Sequence, residues 1–117
     1  IITWGAIVQK SIEAVKELGV SADIIDLRTL YPLDIDIIKE SVSKTNRIVI
    51  AHEDNLTNGF GGEISAQISE HLFEFLDAPI LRVASKDLPI AYSSTLEENI
   101  LVQTNWIKDA INKTINF

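Results

Sequence analysis

The apolar run Ile48-Val49-Ile50-Ala51 stops at His52-Glu53-Asp54. A glycine-rich loop, Gly59-Phe60-Gly61-Gly62, then leads into an amphipathic segment from about Glu63. A short β-branched run of this kind reads as a buried strand, and the segment after the loop has helical spacing. Strand, acidic turn, flexible loop and helix start together form a βα unit. In open α/β sheets, ligands and partners meet the chain at the C-terminal ends of strands. The turn from His52 to Glu63 is therefore the first place to look for function.

The rest of the chain repeats the alternation. Ile1 to Trp4 reads as a short strand ended by Gly5. Ala6 to Leu18 carries apolar residues at Ile7, Val8, Ile12, Val15 and Leu18, which predicts a helix, with Gly19 as its stop. Ala22 to Asp26 is a second strand, and the proline-containing stretch from Leu30 to Leu33 breaks regular structure. Asp34 is placed to cap a helix through about Lys44, with Ile35, Ile38 and Val42 inward. Arg47 to Ala51 is the third strand. Glu63 to Phe75 is the next helix, and Pro79 to Ala84 the fourth strand. Thr95-Leu96-Glu97-Glu98 fits a capping box that starts a helical turn. Gln103 to Ile115 is the last helix, with Trp106, Ala110, Ile111 and Ile115 inward. This βαβα order predicts one α/β domain with a mainly parallel, helix-covered sheet.

Composition narrows the partners. A chain of 117 residues is the size of one domain, and 46% hydrophobic residues is normal for a globular one. The net charge of −7 disfavours nucleic acid and anionic bilayers, and makes a basic partner the electrostatic complement. There is no cysteine, so no disulfide or thiolate chemistry, which fits a reducing compartment. No apolar run is long enough to span a membrane. There is also no methionine. The chain opens directly on a β-branched run, as a domain taken from a longer protein would.

Candidate chemistry is sparse. Gly59-x-Gly61-Gly62 before a helix could cradle a phosphate on backbone N–H groups. However, neither a P-loop lysine nor a complete GxGxxG is present, and Glu63 in the first turn would oppose an anion. The loop reads instead as a sharp bend. His52 stands where a general base could stand, with Glu53 beside it to orient it, or is a packed structural histidine. His71 falls on the polar face of its helix. Asp23, Asp26, Asp34 and Asp36 lack the spacing of a calcium loop and suit caps and strand ends. No metal site and no complete catalytic constellation can be assigned.

The segment Ile24 to Asp34, IIDLRTLYPLD, resembles the DLR-x-x-x-P-x-D signature of the transketolase C-terminal domain. That signature is shared with the β subunits of 2-oxoacid dehydrogenase complexes. HEDNLTNGFGGEIS at 52–65 is similar to branched-chain and bacterial pyruvate members, and FLDAPILRVASKDLPIAYS at 75–93 carries a further hallmark. The resemblance covers essentially the whole chain. It implies a three-layer αβα sandwich whose mostly parallel sheet has about five strands, one of them antiparallel. It also implies an intact enzyme that uses thiamine diphosphate and magnesium to decarboxylate a 2-oxoacid and pass the acyl group to a lipoyl arm. In such enzymes the cofactor lies between two other domains. The diphosphate-binding G-D-G…N-N motif is missing here, so this domain is expected to bind neither cofactor nor metal and to be inert alone.

The resemblance further implies an assembly and docking role. Expected partners are an α subunit or fused α region, a second β subunit, and the peripheral subunit-binding domain of the acyltransferase. Asp77, in the L-D-A-P turn, and the terminal carboxylate of Phe117 correspond to the family's docking pair. Carboxylates at such a surface accept charge-assisted bonds from Arg or Lys. His52, Glu53, Gly59, Phe60, Gly61, Gly62 and Glu63 are expected to form an interdomain loop. Arg28 and Asp34 are expected to be structural, with Arg28 in an ion pair tying two βα turns. A bacterial cytoplasm is the default location, and a mitochondrial matrix the alternative. Two other readings stay open: the same fold from a transketolase or deoxyxylulose-phosphate synthase, and a freestanding small-ligand binder using the 52–62 turn.

Overall fold

A computed structural model describes residues 1–117. Four strands, β1 (Ile2–Thr3), β2 (Ile25–Asp26), β3 (Val49–Asn55) and β4 (Leu81–Ser85), form one sheet in the order β2-β1-β3-β4. Every pairing is parallel. Five helices accompany them: α1 (Ile7–Leu18), α2 (Ile35–Thr45), α3 (Phe60–Leu72), α4 (Ser94–Ile100) and α5 (Thr104–Ile115). A 3₁₀ turn, Phe73–Phe75, follows α3. The three-layer αβα architecture is as expected, but these residues form no antiparallel strand. No strand pairs with the outer side of β2 or of β4, although just past β4 the outward N–H of Lys86 donates to Ile100 O at 3.0 Å.

The period-two alternation of β3 builds both cores at once. Ile48 and Ile50 join Ile2, Ile25 and Leu27 under Ile38, Val42, Ile64, Ile68 and Leu72 of α2 and α3. Val49 and Ala51 face the other way. They pack with Val83 under Ile7 and Ala14 of α1 and Ile107 and Ile111 of α5. A strand buried on both faces must be apolar throughout, which is why Ile48 to Ala51 reads as a continuous run. Two helical positions read as inward from spacing, Ile12 and Ile115, are exposed. They sit at the margins of their stripes, where the neighbouring layer no longer covers them.

Helix ends follow local chemistry. Gly19 stops α1 at φ 65°, and its N–H donates to the carbonyls of Val15 and Lys16. Asp34 caps α2, its Oδ1 accepting from the Ile37 N–H at 3.2 Å. Removing that acceptor by Asp34→Ala should lower unfolding free energy by about 1 kcal/mol. Urea titration would measure this, and an unchanged midpoint would show that the cap contributes nothing. The Thr95–Glu98 capping box is not used. α4 begins one residue earlier, at Ser94, and its N-cap Ser93 makes no side-chain bond. α3 also starts earlier than its polar pattern suggests, at Phe60, because Gly61 and Gly62 are helical residues rather than loop.

Candidate functional site

Order β2-β1-β3-β4 places a reversal of winding between β1 and β3. α/β sheets usually open a ligand crevice at such a switch point, outside the C-terminal ends of the two strands. Here that place is filled. Trp4, after β1, stacks on the His52 ring of β3 with centroids 5.0 Å apart and planes 4° apart. Phe60 meets Trp4 edge-on at 6.3 Å. His52 is fully buried, and neither ring nitrogen has a hydrogen-bonding partner in the protein. Burial pushes its pKa below the usual histidine value, opposed by the charge of Asp54 and reinforced by that of Arg82.

The glycines explain how the ring is enclosed. A Cβ on Gly61 would lie 2.2 Å from His52 Nε2, and one on Gly59 would lie 2.0 Å from the Asn55 carbonyl oxygen and 2.9 Å from His52 Cε1. A Cβ on Gly62 would make only ordinary contact, 3.5 Å from an Arg82 nitrogen. Gly59 and Gly61 therefore serve close packing of α3 onto β3. The segment expected to be a flexible loop is pinned at several points. Leu56 N–H donates to Ser85 O at 3.0 Å, and an Arg82 guanidinium N–H donates to Leu56 O at 2.9 Å. The Ser85 hydroxyl donates to Glu53 O. Thr57 donates to Asp87 through its N–H at 2.9 Å and its hydroxyl at 2.5 Å, and these bonds hold the Asp87 carboxyl below its usual range. β3 also runs on to Asn55, past the expected stop at Ala51, with an irregular register between Ala51 and Asn55.

These contacts correct several expectations. The His52 side chain offers no surface to another domain, since it is enclosed by Trp4, Gly59 and Gly61 of its own chain. Glu53 and Glu63 are exposed, and Gln67 donates to Glu63 Oε1 at 2.8 Å. Arg28, 86% exposed, pairs at 2.6 Å with Asp26 two residues earlier and ties no second βα turn. The cleft beside the glycine segment is lined by Asp54, Asn58, Gly59, Phe60, Gly62 and Glu63. Two carboxylates there do not suit a diphosphate. No group of three or more His, Cys, Asp or Glu is arranged to hold a metal ion.

Asp77 and Phe117 lie at the opposite end of the sheet, where the helices end and β4 begins. They line one cleft of about 500 Å3, with Ser65, Ser69, Phe73, Leu76, Ala78, Pro79 and Ile80. The Asp77 side chain is 62% exposed. Its backbone N–H donates to Asn46 O at 2.9 Å, and Asn46 Nδ2 donates to Phe75 O at 2.7 Å, so the end of α2 fixes the turn. Arg47 lies 3.7 Å from the Asp77 carboxylate and donates to Thr114 O at 3.0 Å. Phe117 and Phe73 stand 73% and 74% exposed. An open carboxylate next to exposed aromatic surface can receive a basic, partly apolar partner. Asp77 and Phe117, expected from the sequence as a pair, line the same cleft. Sequence reading missed Arg47 and Phe73, which nothing in the local pattern marks.

Comparison with known proteins identifies the family and the fold. The family described as transketolase, C-terminal domain, matches residues 1–107. A pyruvate dehydrogenase E1 component subunit beta from Porphyra purpurea is 45% identical over 98 residues, covering 84% of this chain and 30% of that protein. A 2-oxoisovalerate dehydrogenase subunit beta from Pseudomonas aeruginosa is 46% identical over 93 residues, covering 80% and 27%. The chain thus spans roughly a third of the length of these relatives. Among solved structures, a split-gene transketolase described as an inactive beta4 tetramer superposes with a TM-score of 0.81. Its identity is 24%, over 98% of this chain and 37% of that one, a likeness of fold.

Proposed function

Because the chain belongs to the transketolase C-terminal domain family, we propose that it is the C-terminal domain of the β subunit of a 2-oxoacid dehydrogenase, of pyruvate or 2-oxoisovalerate type. In this reading residues 1–117 are one domain of a longer protein. The domain holds subunits together and docks the acyltransferase core, while decarboxylation by thiamine diphosphate and magnesium belongs to the parts of the enzyme that it joins. The whole enzyme would work in a bacterial cytoplasm. An α subunit or fused α region and a second β subunit are its assembly partners.

The observation that carries the docking role is the meeting of Asp77 and Phe117 in one open cleft. Residues from the end of α3, the turn before β4 and the end of α5 converge there, on a chain of net charge −7. A small basic domain is the complement of such a surface, and the charge would steer its approach. The inert character of the domain alone is supported by the filled switch point and by the acidic lining of the cleft beside Gly59–Glu63.

Calorimetric titration with the peripheral subunit-binding domain of a 2-oxoacid dehydrogenase acyltransferase tests the proposal. Saturable, salt-sensitive binding is expected, weakened about tenfold or more by Asp77→Asn, as loss of a charge-assisted bond dictates. The variant should keep its fold, since the ion pair it breaks is exposed. Absence of binding, or binding indifferent to Asp77→Asn, would leave Asp77 as a residue that shapes the turn before Pro79.

A further inference from the structure

The outer side of β4 is a second surface, distinct from the Asp77 cleft. β4 ends the sheet, with β3 on one side and no strand on the other. Leu81 N–H donates to Ile48 O and Ser85 O accepts from Leu56 N–H, so residues 81, 83 and 85 direct their backbone groups toward β3. By the two-residue period of a strand, the N–H and C=O groups of Arg82 and Ala84 point outward without a backbone partner, and the open edge ends there because the next outward N–H, that of Lys86, donates to Ile100 O at 3.0 Å. A groove of about 480 Å3 runs along this edge, between β4 and α5. Three cations line it, Arg82, Lys86 and Lys113, against one carboxylate, Asp109. Lys86 lies over the Trp106 ring, 5.5 Å from its centroid, which places an ammonium and an aromatic face at the end of the strand.

We propose that this edge takes an extended acidic segment of a partner protein, added to β4 as a further strand. Two observations select the occupant. Free N–H and C=O groups at alternate residues are what an added strand bonds to. The groove is locally cationic on a chain of net charge −7, so it favours a carboxylate-bearing strand. A second copy of this chain is the poorer fit. A two-fold pairing of β4 with itself would bring two cationic grooves together, setting Arg82 near Lys86 of the other copy when centred on Ala84, and like charges across a pair repel. The site does not depend on Asp77, and its test reads different residues.

The probe is an acetylated, fluorescently labelled octapeptide alternating glutamate and threonine, titrated into the chain by fluorescence polarisation. Saturable binding is expected, with none for the counterpart in which lysine replaces glutamate. Lys113→Glu should weaken binding about tenfold or more, because it places like charge in the groove. Ala84→Pro should abolish it, since proline is tolerated where an edge N–H faces solvent yet offers no donor to an added strand. Hydrogen exchange on the unsubstituted chain gives a readout that survives a misfolded variant. Saturating peptide should slow the Arg82 and Ala84 amides, while those of α2 stay unchanged. The proposal is overturned by absence of saturable binding, by equal binding of the basic peptide, or by slowing that spares those two amides. It is equally overturned if the chain pairs with itself through β4, which would make a second copy the occupant.

Discussion

Replacing Gly59 by alanine is expected to destabilise the fold by about 3 kcal/mol, the upper end of what overpacking a tight site costs. The new methyl would lie 2.0 Å from the Asn55 carbonyl oxygen, a backbone atom that cannot move without unpinning the end of β3. Gly61→Ala should cost somewhat less, about 2 kcal/mol. Its clash, at 2.2 Å, is with the His52 ring, a side chain that can shift only by disturbing its stack on Trp4. Gly62→Ala has room, and as a helix-interior change it should be neutral or stabilise by up to about 1 kcal/mol. Urea unfolding of the three variants checks this order. A double-mutant cycle sharpens it. Removing the ring by His52→Ala should rescue most of the Gly61→Ala loss and little of the Gly59→Ala loss, because only the former clash is chiefly with the ring. Equal effects at all three glycines would show that the segment is a compliant bend after all.

The second large effect is on pH dependence. Burial, first, and then Arg82, against the opposing charge of Asp54, hold His52 neutral in the folded chain. The unfolded chain protonates this residue near its ordinary value of about 6.5. As pH falls below that value, the unfolded state binds a proton that the folded state refuses. Stability therefore falls, by about 1.4 kcal/mol for each pH unit, until the folded-state value is reached. Above it the contribution is constant. His52→Leu should remove this contribution, so that the variant's stability relative to the unsubstituted chain rises steadily as pH falls from 7 through the histidine range. It should also gain about 1 kcal/mol at neutral pH by removing ring nitrogens that are buried without a partner. Identical pH profiles would mean that His52 titrates in the folded state as it does in water.

These two predictions concern stability, yet they bear on function. The switch point of this sheet is occupied by Trp4, His52 and Phe60, held by glycines that admit no side chain. Where many α/β proteins keep a crevice, this one keeps a packed wedge. In the proposed reading, recognition falls to the other end of the sheet and to the outer edge of β4, where the exposed carboxylate and the exposed backbone are found. That division suits a domain that joins subunits.

The sequence by itself determined the layers and the placement of most elements. The apolar run Ile48–Ala51, the helical stripes and the caps at Gly19 and Asp34 act within a few residues, through burial, periodicity and local hydrogen bonds, and such signals are written along the chain. It also determined the family, through motifs with fixed order and spacing, and suggested Asp77 and Phe117 for the docking role proposed above. Only the tertiary structure decided what the most distinctive segment does. Whether His52 faces solvent, a partner or Trp4 depends on Trp4 lying on the neighbouring strand, forty-eight residues away in sequence. Whether a glycine bends the chain or admits a ring depends on which atom stands opposite it. The pairing of Arg47 with Asp77, the all-parallel sheet and the free edge of β4 have the same origin. Each is a contact or a vacancy between elements brought together by packing, and neither composition nor local period carries that information.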